Sequence, residues 1–477
     1  MSRLTGVACL LCAFSAPASA QELRPPTVAM TEQGLRPAVM LAGSPPPLRT
    51  LTAEMDRLHV PGVSIAVMHN GVIQWAKGYG VTRADGGPVT PDTLFQAGSI
   101  SKPVTALAAL RLVQRHRLSL DGDVNARLKG WKLPVPPGAP VTLRELLAHR
   151  AGTTVHGFPG YPAGAPLPTV EDILAGRAPA NTEAVVVDTP PGTAWRYSGG
   201  GYTVVQKLMG DVTGRSFAQV LTDEVLRPAG MTNSRFAQPF PSAELARAAL
   251  PHDAMGHPLP GGPRTYPELA AAGLWSTPTD LLHYAVAVRD SAQGKRGALL
   301  DQQLATQMLT PGKGDYGLGL EVHGTPDNRD ASHGGSNMGY EDFLVSFTGT
   351  GDGVAVMTNG AQGNELALEI TRSVAAAYDW PRYRTIERAR VPIPAATRAR
   401  LAGTYAIPGL GTFSIGGAAD GLTLSLKDGA SEPLYAAGPD RFFILSTDLI
   451  VQLDPGTTPI TGRIVTGPFN MAFRKQD

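Results

Sequence analysis

The length, composition and charge of the chain exclude several classes of protein. At 477 residues it is longer than one typical domain, so we expect a large main domain and an appended one. Lys and Arg (41) balance Asp and Glu (40), and no basic stripe is present, which argues against a nucleic-acid or acidic-membrane partner. No apolar run reaches the ~18 residues that a membrane span requires. We therefore expect a globular protein whose partner is a small molecule, with no membrane span in the mature chain.

The first 20 residues have the pattern of an export signal. Arg3 gives a positive start, residues 7–14 are apolar, and Ala-Ser-Ala at 18–20 forms a small-residue cleavage site before Gln21. Both cysteines of the chain lie inside this segment, so the mature protein would contain neither a disulfide nor a thiol nucleophile. No leucine-led lipobox precedes either cysteine. The sequence therefore predicts a cleaved signal peptide and a periplasmic or secreted product, and it favours soluble export over a lipoprotein.

The segment after the signal is rich in proline and has no hydrophobic period. Residues 21–47 are therefore predicted to be a leader or a surface arm, with folded structure beginning near Leu48. Residues 61–79 then contain two β-rich runs on either side of Asn70-Gly71. This dipeptide readily adopts the positive φ angles of a tight turn, which predicts a β-hairpin.

Helical patterns occupy the middle of the chain, and strand patterns follow them. Residues 99–115 carry apolar side chains at helical spacing. Further helices are predicted over 142–149, 202–213, 217–225 and 279–289, and strands over 317–322, 340–347 and 353–358. Since strands come from both ends of this region and helices lie between them, we predict an α+β domain over residues 48–385.

The hydrophobic period changes near the C-terminus. Residues 386–398 form a connector rich in proline and arginine. Beyond it, short alternating runs at 411–415, 422–426, 442–445 and 449–453 are separated by glycine, aspartate and proline. This pattern is typical of small antiparallel structures and predicts a β-barrel domain over residues 399–477.

The strongest local motif is a serine and a lysine three residues apart, Ser99 and Lys102. Side chains at this spacing share one face of a helix, with Cβ atoms about 5–6 Å apart, so the amine can reach the hydroxyl. A serine is a weak nucleophile at neutral pH, and a lysine can activate it only if burial or charge lowers the lysine pKa. Pro103 fits the first turn of a helix, but it also disfavours helical angles at Lys102. The sequence alone does not resolve that conflict.

Two more clusters follow at a distance, residues 195–202 (WRYSGGGY) and 333–340 (HGGSNMGY). The order S-x-x-K, then Y-S about 95 residues later, then H-G-G before a late strand resembles the three motifs of the class C β-lactamase and D-alanyl-D-alanine peptidase superfamily. Residues 146–152 (LLAHRAG) and 273–277 (GLWST) are similar to further segments of it. The resemblance implies a β-lactamase/transpeptidase-like domain, with an antiparallel sheet flanked by helices and a helical subdomain. The tail resembles the small β-barrels appended to some members.

The resemblance also implies a role for each residue of the first two motifs. Ser99 would attack the substrate carbonyl, and Lys102 would share and shuttle its proton. Tyr197, as a phenolate or through hydrogen bonding, would act as the general base. A cofactor is not implied.

The third motif is implied to hold the substrate. His333 stands where many relatives have the lysine of a K-T-G motif. The strand that it begins would bind substrate through the backbone of Gly334, Gly335 and Ser336. The backbone N–H groups of Ser99 and Ser336 would form the oxyanion hole, in which one donor is typically worth ~3 kcal/mol.

Two departures from the family pattern affect the expected substrate. Gly199 replaces the asparagine of the Y-x-N motif, which removes an amide that would grip an acylamino group. His333 replaces a permanently cationic lysine. Both changes argue against efficient β-lactam hydrolysis and suit D-aminopeptidases, some carboxypeptidases and esterases of this fold.

Competing motifs are absent or incomplete. The chain has no G-x-S-x-G of an α/β-hydrolase and no H-E-x-x-H or His/Cys cluster for zinc. A calcium loop at Asp121 would need a glycine at Ala126 and a glutamate at Lys132, so a turn is preferred and no metal is predicted. His149 and His156 are expected to have structural or surface roles.

The sequence therefore predicts a cofactor-free serine hydrolase that acts through an acyl-enzyme on a small ester, a D-amino-acid peptide or a related amide. A non-hydrolytic penicillin-binding or sensor-like protein of the same fold is the alternative. A third possibility is that the C-terminal barrel carries a binding function. Substrate identity and oligomeric state are not determined at this stage.

Overall fold

A computed structural model gives the fold and describes residues 26–45, 48–83, 85–138, 140–408, 410–418, 421–426, 431–466 and 469–476. The predicted signal peptide and its cleavage site lie outside these residues. The α-helices are α1 (Pro26–Gln33), α2 (Leu51–Arg57), α3 (Ser101–Gln114), α4 (Leu143–Leu147), α5 (Val170–Ala175), α6 (Gly199–Thr213), α7 (Phe217–Leu221), α8 (Leu269–Ala272), α9 (Pro278–Ala292), α10 (Gln302–Met308), α11 (Gly363–Ala377) and α12 (Ala395–Leu401).

The strands are numbered in the same way along the chain. They are β1 (Val39–Leu41), β2 (Gly62–His69), β3 (Val72–Gly80), β4 (Phe95–Gln96), β5 (Arg235–Phe236), β6 (Leu274–Ser276), β7 (Glu321–His323), β8 (Asp330–Asn337), β9 (Tyr340–Phe347), β10 (Gly353–Thr358), β11 (Ile386–Arg388), β12 (Gly403–Ile407), β13 (Gly411–Ala418), β14 (Gly421–Leu426), β15 (Ser431–Ala436), β16 (Arg441–Phe443), β17 (Leu449–Leu453), β18 (Thr461–Thr466) and β19 (Phe469–Lys475).

The main domain is built on an antiparallel sheet with strand order β3-β2-β10-β9-β8-β7. Strands β2 and β3 are joined by a turn at Asn70 and Gly71, which have the positive φ angles, 53° and 77°, that the hairpin motif predicts. Strands β9 and β10 have the predicted bounds. The prediction of one sheet with strands from both ends of the domain is therefore confirmed.

Helices cover both faces of this sheet. In β2, Val63, Ile65 and Val67 pack with α11, whereas Ala66 and Met68 belong to the larger core that contains α3 and α9. This alternation follows from the two-residue period of a strand. The sheet is apolar on both sides for that reason.

Helix α3 runs through the larger core. Every residue from Ser101 to Leu110 is buried, and the helix is preceded without a break by a 3-10 turn over Gly98–Ile100. Lys102 lies in the first turn and is helical although Pro103 follows it, which resolves the conflict noted in the sequence. A helix buried on all sides has no polar face, so a lysine near its start is an exception that calls for a function.

The C-terminal domain is a closed barrel of strands β12 to β19. Its interior contains Tyr405 stacked on Phe413 at 4.9 Å, with Phe473 edge-on to both rings. The prediction of a small antiparallel barrel from the alternating sequence is confirmed.

Residues 26–45 are folded, so the expectation that structure begins near Leu48 was wrong. Helix α1 lies against α11, and Ser373 Oγ donates a hydrogen bond to the Gly34 carbonyl at 2.9 Å. Strand β1 pairs in parallel with β11, which lies inside the predicted linker. Val39 N–H also donates to the Leu445 carbonyl of the barrel at 3.1 Å. Proline-rich composition hides these contacts because they come from distant parts of the chain.

Two strand bounds also differ from the predictions. Only Glu321–His323 of the predicted strand 317–322 is a strand, because Gly317 N–H turns back to the Leu320 carbonyl at 2.8 Å. His333 lies inside β8 instead of beginning it, since the strand starts at Asp330, where it pairs with β7. Within the described ranges, no helix combines the length and the apolar character needed to cross a bilayer.

One close contact holds strand β8 against the start of α3. A Cβ added at Gly335 would lie 2.3 Å from the Ala97 carbonyl oxygen, whereas a Cβ at the neighbouring Gly334 would meet nothing nearer than 3.9 Å. The strand therefore approaches the Gly98–Ile100 turn more closely than any side chain at position 335 allows.

We predict that Gly335→Ala lowers the free energy of unfolding by about 1–3 kcal/mol, because the added methyl forces the strand away from Ala97. The matched variant Gly334→Ala should unfold like the wild type. Thermal unfolding followed by circular dichroism measures both. Equal stability of the two variants would contradict the contact.

Candidate active site

Ser99 and Lys102 meet at the start of α3. Lys102 Nζ lies 2.9 Å from Ser99 Oγ, at hydrogen-bonding distance. Lys102 is 2% exposed, whereas Ser99 is partly accessible. A substrate can therefore reach the hydroxyl while the amine stays out of water.

Burial changes the acidity of the Lys102 amine. Removal from water lowers its pKa from the usual value to about 7, because the charged form loses its hydration. Nζ also donates a hydrogen bond to the Ala271 carbonyl at 2.9 Å. A neutral amine can keep that bond and still accept the proton of Ser99. The lysine therefore has the properties of a base at neutral pH.

Tyr197 lies beside the same serine and lysine. The Ser99 side chain is within reach of the Tyr197 hydroxyl, where it acts on the Tyr197 pKa, and Lys102 Nζ lies 4.9 Å from the centre of the tyrosine ring. Burial raises the Tyr197 pKa above its usual value and the nearby Glu321 carboxylate adds to the rise, which the bond to Ser99 only partly offsets. The ring is therefore a protonated phenol at neutral pH. Of the two forms expected for Tyr197, the hydrogen-bonding phenol is favoured over the phenolate.

His333 is a neutral side chain within the same site. Its Nδ1 donates to the Gly334 carbonyl at 2.6 Å, since a carbonyl can only accept, and its Nε2 accepts from the Tyr316 hydroxyl at 3.0 Å. Burial, with a smaller effect from Lys102, lowers the His333 pKa to about 3. This position therefore carries no positive charge at neutral pH.

The edge of β8 beside Ser99 is open. His333, Gly335 and Asn337 are the residues of β8 that bond to β9, since Asn337 and Tyr340 flank a two-residue turn. The N–H groups of Gly334 and Ser336 point to the other edge as a result. Strand β7 covers that edge only as far as Ser332.

The backbone of Ser336 lies next to the turn that carries Ser99. A Cβ added at Gly98 would be 2.6 Å from Ser336 N, so the two chain segments touch here. Gly98 has φ 48°, a conformation that favours glycine. The Ser99 N–H lies in the first turn of a helix, where such groups lack an intrahelical partner. The structure therefore brings both predicted oxyanion donors to one place.

The segment around residue 155 occupies the space that an asparagine side chain at position 199 would need. A Cβ added at Gly199 would lie 2.9 Å from the Phe158 ring and 3.2 Å from the His156 carbonyl oxygen. Ser198 caps α6 and donates from its hydroxyl to the Thr154 carbonyl at 2.6 Å. An amide side chain at position 199 would therefore need this segment to move.

Three aromatic residues near the site were not predicted from the sequence to be part of it, and two of them, His149 and His156, were expected to have structural or surface roles. Tyr316 donates to His333, His149 is buried with its ring 4.2 Å from the Tyr197 ring, and the exposed His156 has its ring 5.1 Å from Tyr197. The L-L-A-H segment contained His149, but nothing in the sequence connected it with Tyr197. Tyr316 and His156 gave no signal because their contacts cross long stretches of chain.

The described part of the chain contains no cluster of three or more His, Cys, Asp or Glu side chains arranged to hold a metal ion. Asp121, considered above as a calcium ligand, forms an ion pair with Arg144 at 2.6 Å.

Comparison with known proteins places the main domain in a family. The sequence pattern of the Beta-lactamase family matches residues 48–379. Protein flp of Staphylococcus aureus strain N315 is 26% identical over 326 residues, covering 64% of this chain and 61% of that protein. Putative penicillin-binding protein PbpX of Bacillus subtilis is 27% identical over 317 residues, covering 65% and 73%. Unguisins hydrolase ungD' of Aspergillus campestris is 30% identical over 246 residues, covering 46% and 42%.

Solved structures share the fold. The octameric penicillin-binding protein homologue from Pyrococcus abyssi superposes with a TM-score of 0.57 at 23% identity, covering 88% of this chain and 98% of that one. SurE gives a TM-score of 0.56 at 22% identity, covering 89% and 97%. The chain spans 61% of the length of the flp protein that it matches. From the match over residues 48–379 and the shared fold, we conclude that the chain belongs to the Beta-lactamase family, within the serine β-lactamase-related superfamily.

Proposed function

We propose that this protein is a serine hydrolase that acts through an acyl-enzyme on a small ester, a D-amino-acid peptide or a related amide. The observation that carries the proposal is the 2.9 Å contact between Ser99 Oγ and the buried amine of Lys102. Relatives named as a hydrolase and as a penicillin-binding protein support the reaction class. Export through the signal at residues 1–20 belongs to the same proposal.

Acylation would begin with proton transfer from Ser99 to the neutral Lys102 amine. The serine oxygen then attacks the substrate carbonyl, and the N–H groups of Ser99 and Ser336 stabilise the oxyanion. Tyr197 donates its phenolic proton to the leaving group and regains one from Lys102. The serine proton thus ends on the leaving group, and the acyl group stays on Ser99.

Deacylation would use the same groups in reverse. Water attacks the acyl carbonyl and gives a proton to Lys102, by way of Tyr197 or directly. Collapse of the tetrahedral species breaks the bond to Ser99, whose oxygen recovers the proton. The site needs no cofactor for either half-reaction.

The charge of the site suggests which substrates are favoured. His333 is neutral and Gly199 has no side chain, so this site lacks the ammonium and the amide that the family pattern places at these positions. The Ser336 hydroxyl is held by Glu341 Oε1 at 2.7 Å, and Glu321 is close enough to raise the Tyr197 pKa. Burial raises the pKa of Glu341 to about 7 and also raises that of Glu321. A substrate carboxylate would therefore meet carboxyl groups instead of an ammonium, and neutral esters and amides are favoured over β-lactams.

The first prediction concerns the nucleophile. A fluorophosphonate should label one serine, and Ser99→Ala should abolish the labelling and lower ester turnover by about 10⁴-fold or more, because no other activated hydroxyl is present in the described site. Intact-protein mass spectrometry measures the label, and circular dichroism checks the fold. Labelling that persists in Ser99→Ala would refute the assignment. A wild-type acyl-enzyme that forms without releasing product would favour the non-hydrolytic penicillin-binding or sensor-like alternative.

The second prediction concerns pH. Lys102 accepts a proton only when neutral, so kcat/KM for an ester should rise about tenfold per pH unit below pH 7 and level off above it. His333, with a pKa of about 3, does not titrate in this range. The Lys102→Met protein should be slow and show no inflection near pH 7. The same inflection in that variant would assign the titration to another group.

The third prediction concerns the substrate. A p-nitrophenyl ester should be cleaved with a kcat/KM at least about 10–100-fold above that for nitrocefin, because the bond to a substrate carboxylate is missing. A D-amino-acid p-nitroanilide tests the peptide class in the same panel. His333→Lys should narrow the gap between ester and nitrocefin. Nitrocefin turnover as fast as that of the ester would contradict the charge argument.

A further inference from the structure

His149 makes contacts on both sides of Tyr197. It lies two residues after the end of α4, has φ 54° and is 2% exposed. Its carbonyl oxygen accepts the Arg196 N–H at 2.8 Å, and its Nδ1 accepts the Ser198 N–H at 3.1 Å. One residue thus accepts hydrogen bonds from the backbone N–H groups of the residues before and after Tyr197.

The ring of His149 also lies against the ring of Tyr197. Their centres are 4.2 Å apart with an interplanar angle of 35°, and the Tyr316 ring packs edge-on against His149 at 4.8 Å. Tyr197 therefore has Lys102 on its ring, Ser99 at its hydroxyl and His149 along its ring and backbone. The direction of the phenol toward Ser99 depends on all three.

The hydrogen bond to Ser198 determines the protonation state of His149. Nδ1 accepts, so it carries no proton, and the ring proton is on Nε2. Nε2 is buried, and no group in the described residues accepts from it. Burial, with smaller effects from Lys102 and two histidines, holds the His149 pKa well below its usual value. The ring therefore stays neutral and keeps Nδ1 as an acceptor throughout the working pH range.

Other contacts already hold the surrounding helices together. The Tyr202 hydroxyl donates to the Leu147 carbonyl at 2.9 Å and joins α6 to the end of α4. The Ser198 hydroxyl joins the start of α6 to the Thr154 carbonyl. These two bonds do not involve the His149 side chain, whose polar contact falls on Ser198 and whose closest ring contact falls on Tyr197. An unpaired buried N–H and a left-handed backbone at one residue are costs that a functional position tolerates.

We propose that His149 is a positioning residue that holds the Tyr197 phenol toward Ser99 Oγ, through its Nδ1 acceptor and the tilted contact of its ring with the tyrosine ring. This inference rests on the proposed serine hydrolase function and adds a residue outside the three motifs. His149 is 2% exposed, and its proposed effect on the reaction passes through Tyr197.

The test compares two substitutions that both tolerate φ 54°. His149→Gly removes the acceptor and the ring, whereas His149→Asn keeps an acceptor close to the position of Nδ1. We expect acylation by a fluorophosphonate to slow by about 100-fold in His149→Gly, since a small misplacement of a catalytic group has effects of this size. His149→Asn should recover most of that rate. Tyr202→Phe, which removes the hydrogen bond from Tyr202 in α6 to the Leu147 carbonyl in α4, should acylate at nearly the wild-type rate.

The same substitutions in a Tyr197→Phe background separate positioning from general structure. If His149 acts through the Tyr197 hydroxyl, His149→Gly should have almost no further effect on acylation once that hydroxyl is gone. An equal loss of rate in both backgrounds, without rescue by asparagine, would overturn the proposal. Thermal unfolding confirms that each variant is folded.

Amide hydrogen exchange needs no substrate, so it tests the role of His149 independently of the proposed hydrolase function. Amide hydrogen exchange at Ser198 should speed up in His149→Gly and stay slow in His149→Asn, because only the latter retains an acceptor. Unchanged exchange in His149→Gly would overturn the inference even if Ser99 proves to be the nucleophile. If exchange at Ser198 becomes faster in His149→Gly but the wild-type protein is labelled at no serine, the positioning role of His149 would be supported and the proposed hydrolase function refuted.

Discussion

The burial of the Lys102 amine beside Ser99 is the constraint on which the rest of the site depends. An ammonium in the apolar core would be costly, so the group lowers its pKa to about 7 and is available as a base. The Ala271 carbonyl gives the amine one fixed partner and leaves Ser99 Oγ as the other. Both contacts require α3 to pass through the centre of the core, with α8 packed against its first turn.

The neutrality of the neighbouring groups follows from the same burial. The pKa of His333 and that of His149 are lowered while that of Tyr197 is raised, so these side chains stay uncharged at neutral pH. A second cation would raise the cost of protonating Lys102 during the reaction. One proton can therefore move among Ser99, Lys102 and Tyr197, and a pair of opposite charges exists only briefly during the transfer. This arrangement suits substrates that bring no carboxylate of their own.

Close backbone packing sets the geometry in which those protons move. Gly98 and Gly335 allow the Ser99 turn and strand β8 to approach more closely than side chains would permit. Gly199 does the same for the start of α6 and the segment around residue 155. The open edge of β8 then lies beside the nucleophile. His149 completes the arrangement, because it accepts hydrogen bonds from the backbone N–H groups of the residues on either side of Tyr197. Ser99 and Lys102 thus lie in helical turns, whereas Tyr197 lies in the irregular segment that leads into α6.

The sequence by itself determined the features that depend on local spacing. The contact of Ser99 with Lys102 follows from their spacing of three residues on a helix. The hairpin follows from Asn70-Gly71, and the barrel follows from the alternation of apolar and polar residues along its strands. The tertiary structure alone decided the contact of Tyr197 with Ser99, the bond from Tyr316 to His333 and the place of His149. It also showed that residues 26–45 pack against α11 and β11. These contacts join distant segments, and the pKa shifts depend on burial that only complete packing produces. Local pattern therefore identified which residues could react, whereas long-range packing decided their partners and their charge.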